Sequence, residues 1–245
     1  MNWKKKLATY ASLTVLATFI IHIINKLIYF MSTIDNLLGR KEGLYYEWRF
    51  GKIFYTKEGT GKPILLIHDL SACSSEYEWN RIVSDLSKKN TVYTLDLLGC
   101  GKSDKPNFTY TNFLYVQLVT DFINNVIGEK ADVIVTGNSC SFVLMACHNN
   151  DEIIDRILLI NPPSISSISK VPTKRTKMLK FIINIPFIGT LLFNLLHSKD
   201  SIEQTFMTEY FYNPQFVDDE IVKTYCESAQ ISKTQSKYLL QVLRK

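Results

Sequence analysis

The sequence predicts an α/β fold in which helices cover both faces of a mostly parallel sheet. Short apolar runs, typical of strands that are buried on both faces of such a sheet, occur at residues 64–68, 92–97, 133–136 and 157–160. Segments with a helical spacing of apolar residues separate these runs. This alternation, which follows an opening hairpin, indicates parallel strands with helical crossovers on both faces of the sheet.

The hairpin is predicted just before the first buried run. Residues 44–50 and 53–58 are rich in aromatic and β-branched side chains, and Gly51-Lys52 joins them. A two-residue connection that contains glycine is a hairpin signal. The predicted helices follow at residues 78–89, 111–127 and 140–149.

The texture of the sequence changes after Asn161-Pro162-Pro163. Residues 164–173 are rich in Ser, Ile, Lys and Pro, as a linker is, and the rest of the chain has helical patterns. We therefore divide the chain into a membrane anchor at 1–31, the core of the α/β domain at 42–163 and an incomplete helical cap at 164–245.

The N-terminal segment has the length and composition of a transmembrane helix. Residues 7–24 contain one ionisable side chain, His22, and at helical rise they span about 27 Å, close to a hydrocarbon thickness of about 30 Å. Lys4, Lys5 and Lys6 precede the segment and Lys26 follows it. The positive-inside rule then predicts a single-pass protein with a cytoplasmic N-terminus and an extracytoplasmic α/β domain.

Three alternatives remain open for this segment. A cleaved signal peptide has a shorter apolar stretch and a small-residue cleavage site, and no such site is evident after Ile24. An interfacial helix has a polar face, of which this segment has little. A buried helix of a soluble domain also fits, because the segment is near the lower length limit of a span.

Composition argues against several classes of function. Hydrophobic residues make up 46% of the chain and charged residues 21%, which suits a globular protein rather than a disordered one. The net charge is +5, but Lys and Arg are scattered without interleaved aromatics, so nucleic-acid binding is not predicted. The five cysteines have no C-x-x-C spacing and signal neither a disulfide framework nor a zinc site. Nothing in the sequence calls for a metal or organic cofactor.

The segment that carries chemistry lies at residues 133–146. A predicted strand leads through Gly137-Asn138-Ser139-Cys140-Ser141 directly into a predicted helix. This is the context in which a G-x-S-x-G elbow is meaningful, because the backbone at the nucleophile is strained and its second neighbours on both sides must be small. Gly137 and Ser141 meet that condition, so Ser139 is the predicted nucleophile.

Cys140 is the alternative nucleophile, since thiolates are intrinsically reactive. A register shifted by one residue would place Asn138 and Phe142 at the two small positions, and Phe142 would collide there. The sequence therefore favours Ser139. Cys140 is instead expected to supply a backbone N–H at the start of the helix, where an oxyanion is stabilised.

Three segments together resemble the α/β-hydrolase superfamily. They are the elbow, the run that ends in His68-Asp69-Leu70, and the stretch from Asp96 to Pro106. The last is similar to the D-x-x-G-x-G-x-S-D-K-P stretch of the branch that includes haloalkane dehalogenases and epoxide hydrolases. The resemblance covers residues 44–163, and it implies the α/β-hydrolase fold, with the helices after it matching an inserted cap.

The resemblance also implies roles for the loop after the first buried strand. The backbone N–H groups of Leu70 and Cys140 would form the oxyanion hole, and His68 and Asp69 would line the substrate side of that loop. The family usually has His-Gly here, and a carboxylate at Asp69 would oppose an oxyanion unless the side chain turns away. Asp96 and Asp104 are expected to stabilise loops.

A serine nucleophile implies ester, thioester or related acyl chemistry, because the dehalogenases and epoxide hydrolases have an aspartate at that position. The family's acid and histidine follow the cap. None of the histidines present here is well placed as a base, and the four are His22, His68, His148 and His197. Either the sequence is a truncated copy of a longer protein, which we favour, or the protein has lost its catalytic end.

The apolar residues 178–196 have two interpretations. They form either a second membrane-contacting helix or, as we favour, a cap helix interrupted at Pro186 that roofs the pocket. In both cases the substrate is a lipophilic small molecule. The sequence thus favours a membrane-tethered serine hydrolase that works through an acyl-enzyme. A non-catalytic ligand- or partner-binding protein and an acyltransferase are the alternatives.

Overall fold

Six strands form one sheet in the part of the chain that the structure, a computed structural model, describes (residues 3–107, 109–164, 178, 181–232 and 239). Their spatial order is β1-β2-β4-β3-β5-β6. The strands β3 to β6 are parallel, whereas β1 and β2 are antiparallel to their neighbours. Their bounds are β1 Leu44–Trp48, β2 Gly51–Glu58, β3 Lys62–Ile67, β4 Asn90–Leu95, β5 Ala131–Thr136 and β6 Ile154–Ile160.

The hairpin turn lies two residues earlier than predicted. Trp48 pairs with Gly51, so Arg49 and Phe50 make the turn and Gly51 is the first residue of β2. Gly51 has φ +146°, and a Cβ there would lie 2.8 Å from the Cβ of Asp104. Glycine is therefore required for close packing against the loop after β4, and not for the turn.

Helices cover both faces of the sheet, as predicted. Alternate residues of β3 point to opposite faces: Leu65 and Ile67 pack with α3 (Asn112–Phe122) and α4 (Ser139–Asn149), and Ile64 and Leu66 pack with Trp79 and Val83 of the opposite layer. A short 3-10 helix, Glu76–Trp79, leads into α2 (Asn80–Leu86) on that second face. The continuous apolar run at 64–67 is thus explained by burial on both sides.

The last strand is less buried than the sequence suggested. β6 was predicted as a fully buried strand, but within the described residues it pairs with β5 alone and forms an edge of the sheet. Leu158 is consequently 55% exposed.

The N-terminal helix α1 (Trp3–Thr33) is the one helix among the described residues that is long and apolar enough to cross a membrane. Its apolar side chains lie mostly exposed along residues 7–24. Asn25 is the buried residue of α1, and it contacts the helices that follow the sheet. Its Nδ2 donates to the Phe187 carbonyl at 3.0 Å, and its Oδ1 accepts from Asn194 Nδ2 at 2.9 Å.

The helices within residues 181–232, which we call the cap, lie over the carboxyl ends of the parallel strands. They include α5 (Ile188–Leu196), α6 (Lys199–Thr205) and α7 (Asp219–Gln230). A helical turn at 181–184 precedes them, and the helix is interrupted at Pro186-Phe187, where Phe187 has φ +62°. The predicted interruption at Pro186 is confirmed. The predicted linker at 164–173 lies almost wholly outside the described residues.

Buried polar contacts attach the cap to the α/β core. Lys105 Nζ donates to the carbonyls of Gly101, at 2.6 Å, and Ser228, at 3.2 Å. The Ser228 hydroxyl donates to the Ser74 carbonyl at 3.0 Å. In addition, Glu227 of α7 accepts from the Leu37 N–H at 2.7 Å, so the same helix also holds the segment that leaves α1.

Candidate active site at the strand–helix elbow

The chain reverses sharply between β5 and α4, as the sequence predicts. β5 ends at Thr136, and α4 begins at Ser139. The residue with left-handed backbone geometry is Gly137, at φ +53°, and Asn138 follows with helical angles. An elbow presents the side chain of its left-handed residue to the pocket, and here that residue has no side chain.

Ser139, the predicted nucleophile, is fully buried at the first turn of α4. Its Oγ donates to the His68 carbonyl at 2.6 Å, which ties the helix to the end of β3. Gly137 and Asn138 line the nearby cavity, whereas Ser139 is not among the residues that line it. The structure therefore does not bring the Ser139 hydroxyl to the cavity, because the tight turn falls two residues earlier than the motif suggested.

Cys140 is likewise directed into the core. Its N–H donates to the Gly137 carbonyl at 3.2 Å and so closes the first helical turn, and Cys140 is not among the residues that line the cavity. The thiol is buried and contacts the Val135 carbonyl at 3.6 Å. Burial raises the pKa of this thiol, so Cys140 is a poor nucleophile as well as a poor oxyanion donor here.

His68 orients the loop after β3 and does not touch the cavity. Its Nε2 accepts the Leu97 N–H at 3.0 Å, which fixes the tautomer so that Nδ1–H donates to the Asp69 carbonyl at 2.7 Å. The ring is fully buried, and burial lowers its pKa to about 4. His68 therefore stays neutral and positions the loop, and it is not among the residues that line the cavity.

Asp69 is the residue of this loop that reaches the elbow. Its Oδ1 accepts the Asn138 N–H at 2.6 Å and the Asn138 side-chain amide at 3.2 Å, and the Leu70 N–H also bonds to this carboxylate. A Cβ on Gly137 would lie only 2.3 Å from the same Oδ1. Burial raises the pKa of Asp69, although these hydrogen bonds oppose the rise. The carboxylate thus bonds to the Leu70 N–H, which was one of the two predicted oxyanion donors.

Glu78 forms the second acidic group beside the elbow. Its Oε2 accepts the Asp69 N–H at 3.1 Å, and its Oε1 is hydrogen-bonded to the Thr136 hydroxyl. Burial is the largest cause that raises the pKa of Glu78 to about 7, and the nearby Asp69 adds to the rise. Glu78 is therefore partly protonated at neutral pH, which suits a proton donor.

A cavity of about 860 Å³ lies between the carboxyl ends of the parallel strands and the cap. Asp69, Glu78, Thr136 and Asn138 form its polar floor. The cap contributes mostly apolar and aromatic walls, and these residues are Leu196, Ile202, Phe206, Tyr210, Phe211 and Tyr225. The arrangement is that of a small-molecule site, in which an apolar wall binds and a few polar groups orient the ligand.

Sequence reasoning missed several residues of this cavity. His197 was not among the predicted site residues, yet it lines the wall, stacked on Phe193 with its Nδ1 2.9 Å from the Phe193 carbonyl. Burial, with Asp69 and Glu78 nearby, raises the pKa of Tyr210 to about 12, so this hydroxyl remains a donor. The sequence could have indicated Gly137 as the left-handed residue of the elbow, because glycine takes that conformation more readily than serine.

Asp96 and Asp104 hold loops together, as predicted. The Asp96 carboxylate accepts the N–H groups of Glu76, at 2.6 Å, and Lys102, at 2.7 Å. Asp104 accepts the Lys52 N–H at 2.8 Å. Neither aspartate lines the cavity, so neither serves as an acid for the elbow.

Comparisons with known proteins agree with the fold. The family described as the alpha/beta hydrolase family matches residues 64–242. The 2-hydroxy-6-oxo-6-(2'-aminophenyl)hexa-2,4-dienoic acid hydrolase of Metapseudomonas resinovorans is 34% identical over 86 residues, which cover 35% of this chain and 29% of that protein. The matched stretch is therefore less than a third of that relative.

Two solved structures have a similar fold at low identity. The meta-cleavage product hydrolase of Pseudomonas fluorescens IP01 has a TM-score of 0.63 at 19% identity, over 80% of this chain and 66% of that one. An epoxide hydrolase of Vigna radiata has a TM-score of 0.65 at 16% identity, over 82% and 70%. At such identities the likeness concerns the fold alone.

Proposed function

Because this chain belongs to the α/β-hydrolase family, we propose that it is a hydrolase that cleaves a neutral, ester-like and lipophilic small molecule in the cavity under the cap. The observation that carries this proposal is the cavity itself, which has acidic and amide groups beside the carboxyl ends of β3 and β5 and mostly apolar and aromatic walls. A site at the carboxyl ends of parallel strands is where open α/β sheets bind their ligands.

The charge of the cavity supports a neutral substrate. Its lining includes the acidic side chains of Asp69, Glu78 and Glu209, and no Lys or Arg is among the described residues that line it. An anionic substrate would be repelled by this set of charges at close range. The relative from Metapseudomonas resinovorans is named for an acid, so we expect the substrate of this chain to differ in charge.

The membrane part of the proposal rests on α1. Its exposed apolar surface along residues 7–24 suits contact with lipid, and the polar docking of Asn25 onto the cap begins where that stretch ends. We therefore propose a tethered protein whose cap lies next to the bilayer, with the N-terminus cytoplasmic and the α/β domain on the other side. A lipophilic substrate could then enter the cavity from the membrane surface.

Hydrolysis is tested with two esters of similar size. The full-length protein, in detergent micelles, is expected to hydrolyse p-nitrophenyl butyrate at least tenfold faster in kcat/KM than the anionic p-nitrophenyl hemisuccinate. Faster cleavage of the anionic ester would contradict the assignment of substrate charge. If neither ester is cleaved while p-nitrophenyl butyrate raises the unfolding temperature, a non-catalytic ligand-binding protein is the better description.

A serine acyl-enzyme is the second candidate mechanism, favoured by the Gly137-Asn138-Ser139-Cys140-Ser141 motif between a strand and a helix. It requires Ser139 Oγ to leave the His68 carbonyl and turn toward the cavity. A fluorophosphonate probe on the full-length protein decides the matter. Labelling that is lost in Ser139→Ala supports the acyl-enzyme, and absence of labelling in an active protein excludes it.

A further inference from the structure

The elbow has a carboxylate where its own side chain would begin. Gly137 holds the left-handed position at φ +53°, and a Cβ built there would lie 2.3 Å from Oδ1 and 2.5 Å from Cγ of Asp69. No larger residue fits at 137 unless Asp69 moves. The two positions are therefore complementary: the missing side chain of one is replaced in space by the side chain of the other.

Hydrogen bonds also fix the orientation of the Asp69 carboxylate. The backbone amide of Asn138 in the elbow and that of Leu70 in the loop after β3 bond to it, and the Asn138 side chain adds a third bond. Asp69 itself is 8% exposed, and it belongs to the lining of the cavity. No Lys or Arg pairs with Asp69 among the described residues, so a salt bridge does not account for this placement.

We propose that Asp69 is the catalytic carboxylate of this site, reaching the elbow from the loop after β3, and that it activates water against an ester while Glu78 supplies the proton for the leaving group. This inference rests on the proposed hydrolase function and deepens it. In this mechanism water, and not Ser139, is the nucleophile, and Asp69 is the general base.

The chemistry balances without a further reactant. Asp69 removes a proton from water as the water oxygen bonds to the ester carbonyl carbon. The tetrahedral intermediate then breaks its bond to the alcohol oxygen, which takes the proton of neutral Glu78. Transfer of a proton from Asp69 to Glu78 restores both groups, and the net reaction converts ester and water into acid and alcohol.

Proton transfer to Asp69 also lowers the repulsion between this carboxylate and an oxyanion that forms beside it. Asp69 becomes neutral at the moment when negative charge develops on the substrate, so the repulsion between the two is relieved. Tyr210, whose pKa of about 12 keeps its hydroxyl protonated, lines the same cavity and can donate to that charge.

The pH dependence follows from the groups that line the cavity, namely Asp69, Cys73, Glu78, His197, Glu209, Tyr210 and Tyr225. The neutral form of Glu78 is the active one, because it must donate a proton. Since burial raises its pKa to about 7, kcat is expected to fall as the pH rises through 7. Below that pH the rate falls only when Asp69 becomes protonated.

The decisive variant is Asp69→Asn in the full-length protein, assayed with p-nitrophenyl butyrate. An asparagine keeps an oxygen that accepts the Asn138 N–H, so the fold is expected to survive, but it cannot accept a proton from water. We expect kcat/KM to fall about 100-fold or more. The matched control is Asp121→Asn, at a carboxylate that bonds Trp48 and Arg49 outside the cavity, and it is expected to stay within twofold of the parent.

A second variant separates a chemical role from a structural one. Glu78→Gln is expected to lower kcat and to abolish its decrease above pH 7, while the unfolding temperature at pH 6 changes little. Full activity in Asp69→Asn, or an unchanged pH profile in Glu78→Gln, would overturn the inference but leave hydrolysis intact. An inactive parent protein would instead defeat the proposed function itself.

Discussion

At the scale of single residues, the site is decided by which position takes the left-handed conformation. The motif satisfied the requirement for small neighbours around Ser139, and the sharp reversal that it predicted is present between β5 and α4. The reversal centres on Gly137, however, because glycine adopts positive φ without a Cβ clash. Ser139 then falls within the helix and its hydroxyl is used for a contact with His68.

This assignment predicts an unequal response of two glycines to alanine. Gly137→Ala must place a Cβ 2.3 Å from Asp69 Oδ1 in a left-handed conformation, so we expect the free energy of unfolding to fall by about 2 to 4 kcal/mol. Gly128, at φ +80°, has no atom within 4 Å of its Cβ position. Its alanine variant should show the conformational cost of about 1 kcal/mol. Urea unfolding of both variants in detergent measures the difference, and equal losses would refute the crowding at 137.

At the scale of secondary-structure elements, the presence of the strands and their succession along the chain follow from sequence pattern, although their bounds differ by two or three residues from those predicted. The contacts between elements do not follow from it. The apolar runs predicted β3 to β6 because buried parallel strands have apolar side chains on both faces. The same pattern overestimated the burial of β6, since a run of four apolar residues does not reveal whether a strand is central or at an edge. The apolar periodicity of the sequence did not predict that α1 packs on the cap, since this contact joins Asn25 to residues far along the chain.

The contact between α1 and the cap can be tested through Asn25. Asn25→Leu removes both hydrogen bonds, to the Phe187 carbonyl and from Asn194, while it keeps the branching and the number of heavy atoms of the side chain. We expect a loss of about 1 to 3 kcal/mol in stability, and faster proteolytic cleavage of the cap in detergent. Ser12→Leu is the control, because the Ser12 hydroxyl bonds to the Ala8 carbonyl within α1. Equal proteolysis of the two variants would show that the docking contributes nothing.

At the scale of the whole molecule, the sheet and the cap enclose one cavity, and α1 packs on the cap. The sheet supplies the polar floor, the cap supplies the aromatic walls, and α1 is docked against the cap through Asn25. The buried Lys105 and Ser228 contacts hold the cap on the core, so the volume of the cavity depends on tertiary contacts far apart in the sequence. A tether placed beside the cap fits a site for a lipophilic molecule.

Membrane tethering predicts a response to charge in the middle of α1. Leu13 and Leu16 are more than half exposed and do not line the groove between α1 and Phe187. The double variant Leu13→Lys and Leu16→Lys should cost about 5 to 7 kcal/mol of insertion free energy and release the protein on alkaline carbonate extraction. Trp3→Lys, beside the existing lysines, should stay with the membrane. Retention of the double variant would argue for an α1 that is not inserted.

The sequence by itself determined the class of fold, the opening hairpin, the strand–turn–helix at residues 133–146 and the apolar length of α1, because these depend on local periodicity and composition. Only the tertiary structure decided that Gly137 holds the left-handed position, that Asp69 fills the space beside it and that Glu78 and His197 face the same cavity. These features depend on distances between β3, β5 and the cap, and a motif read along one segment contains no information about what another segment places against it.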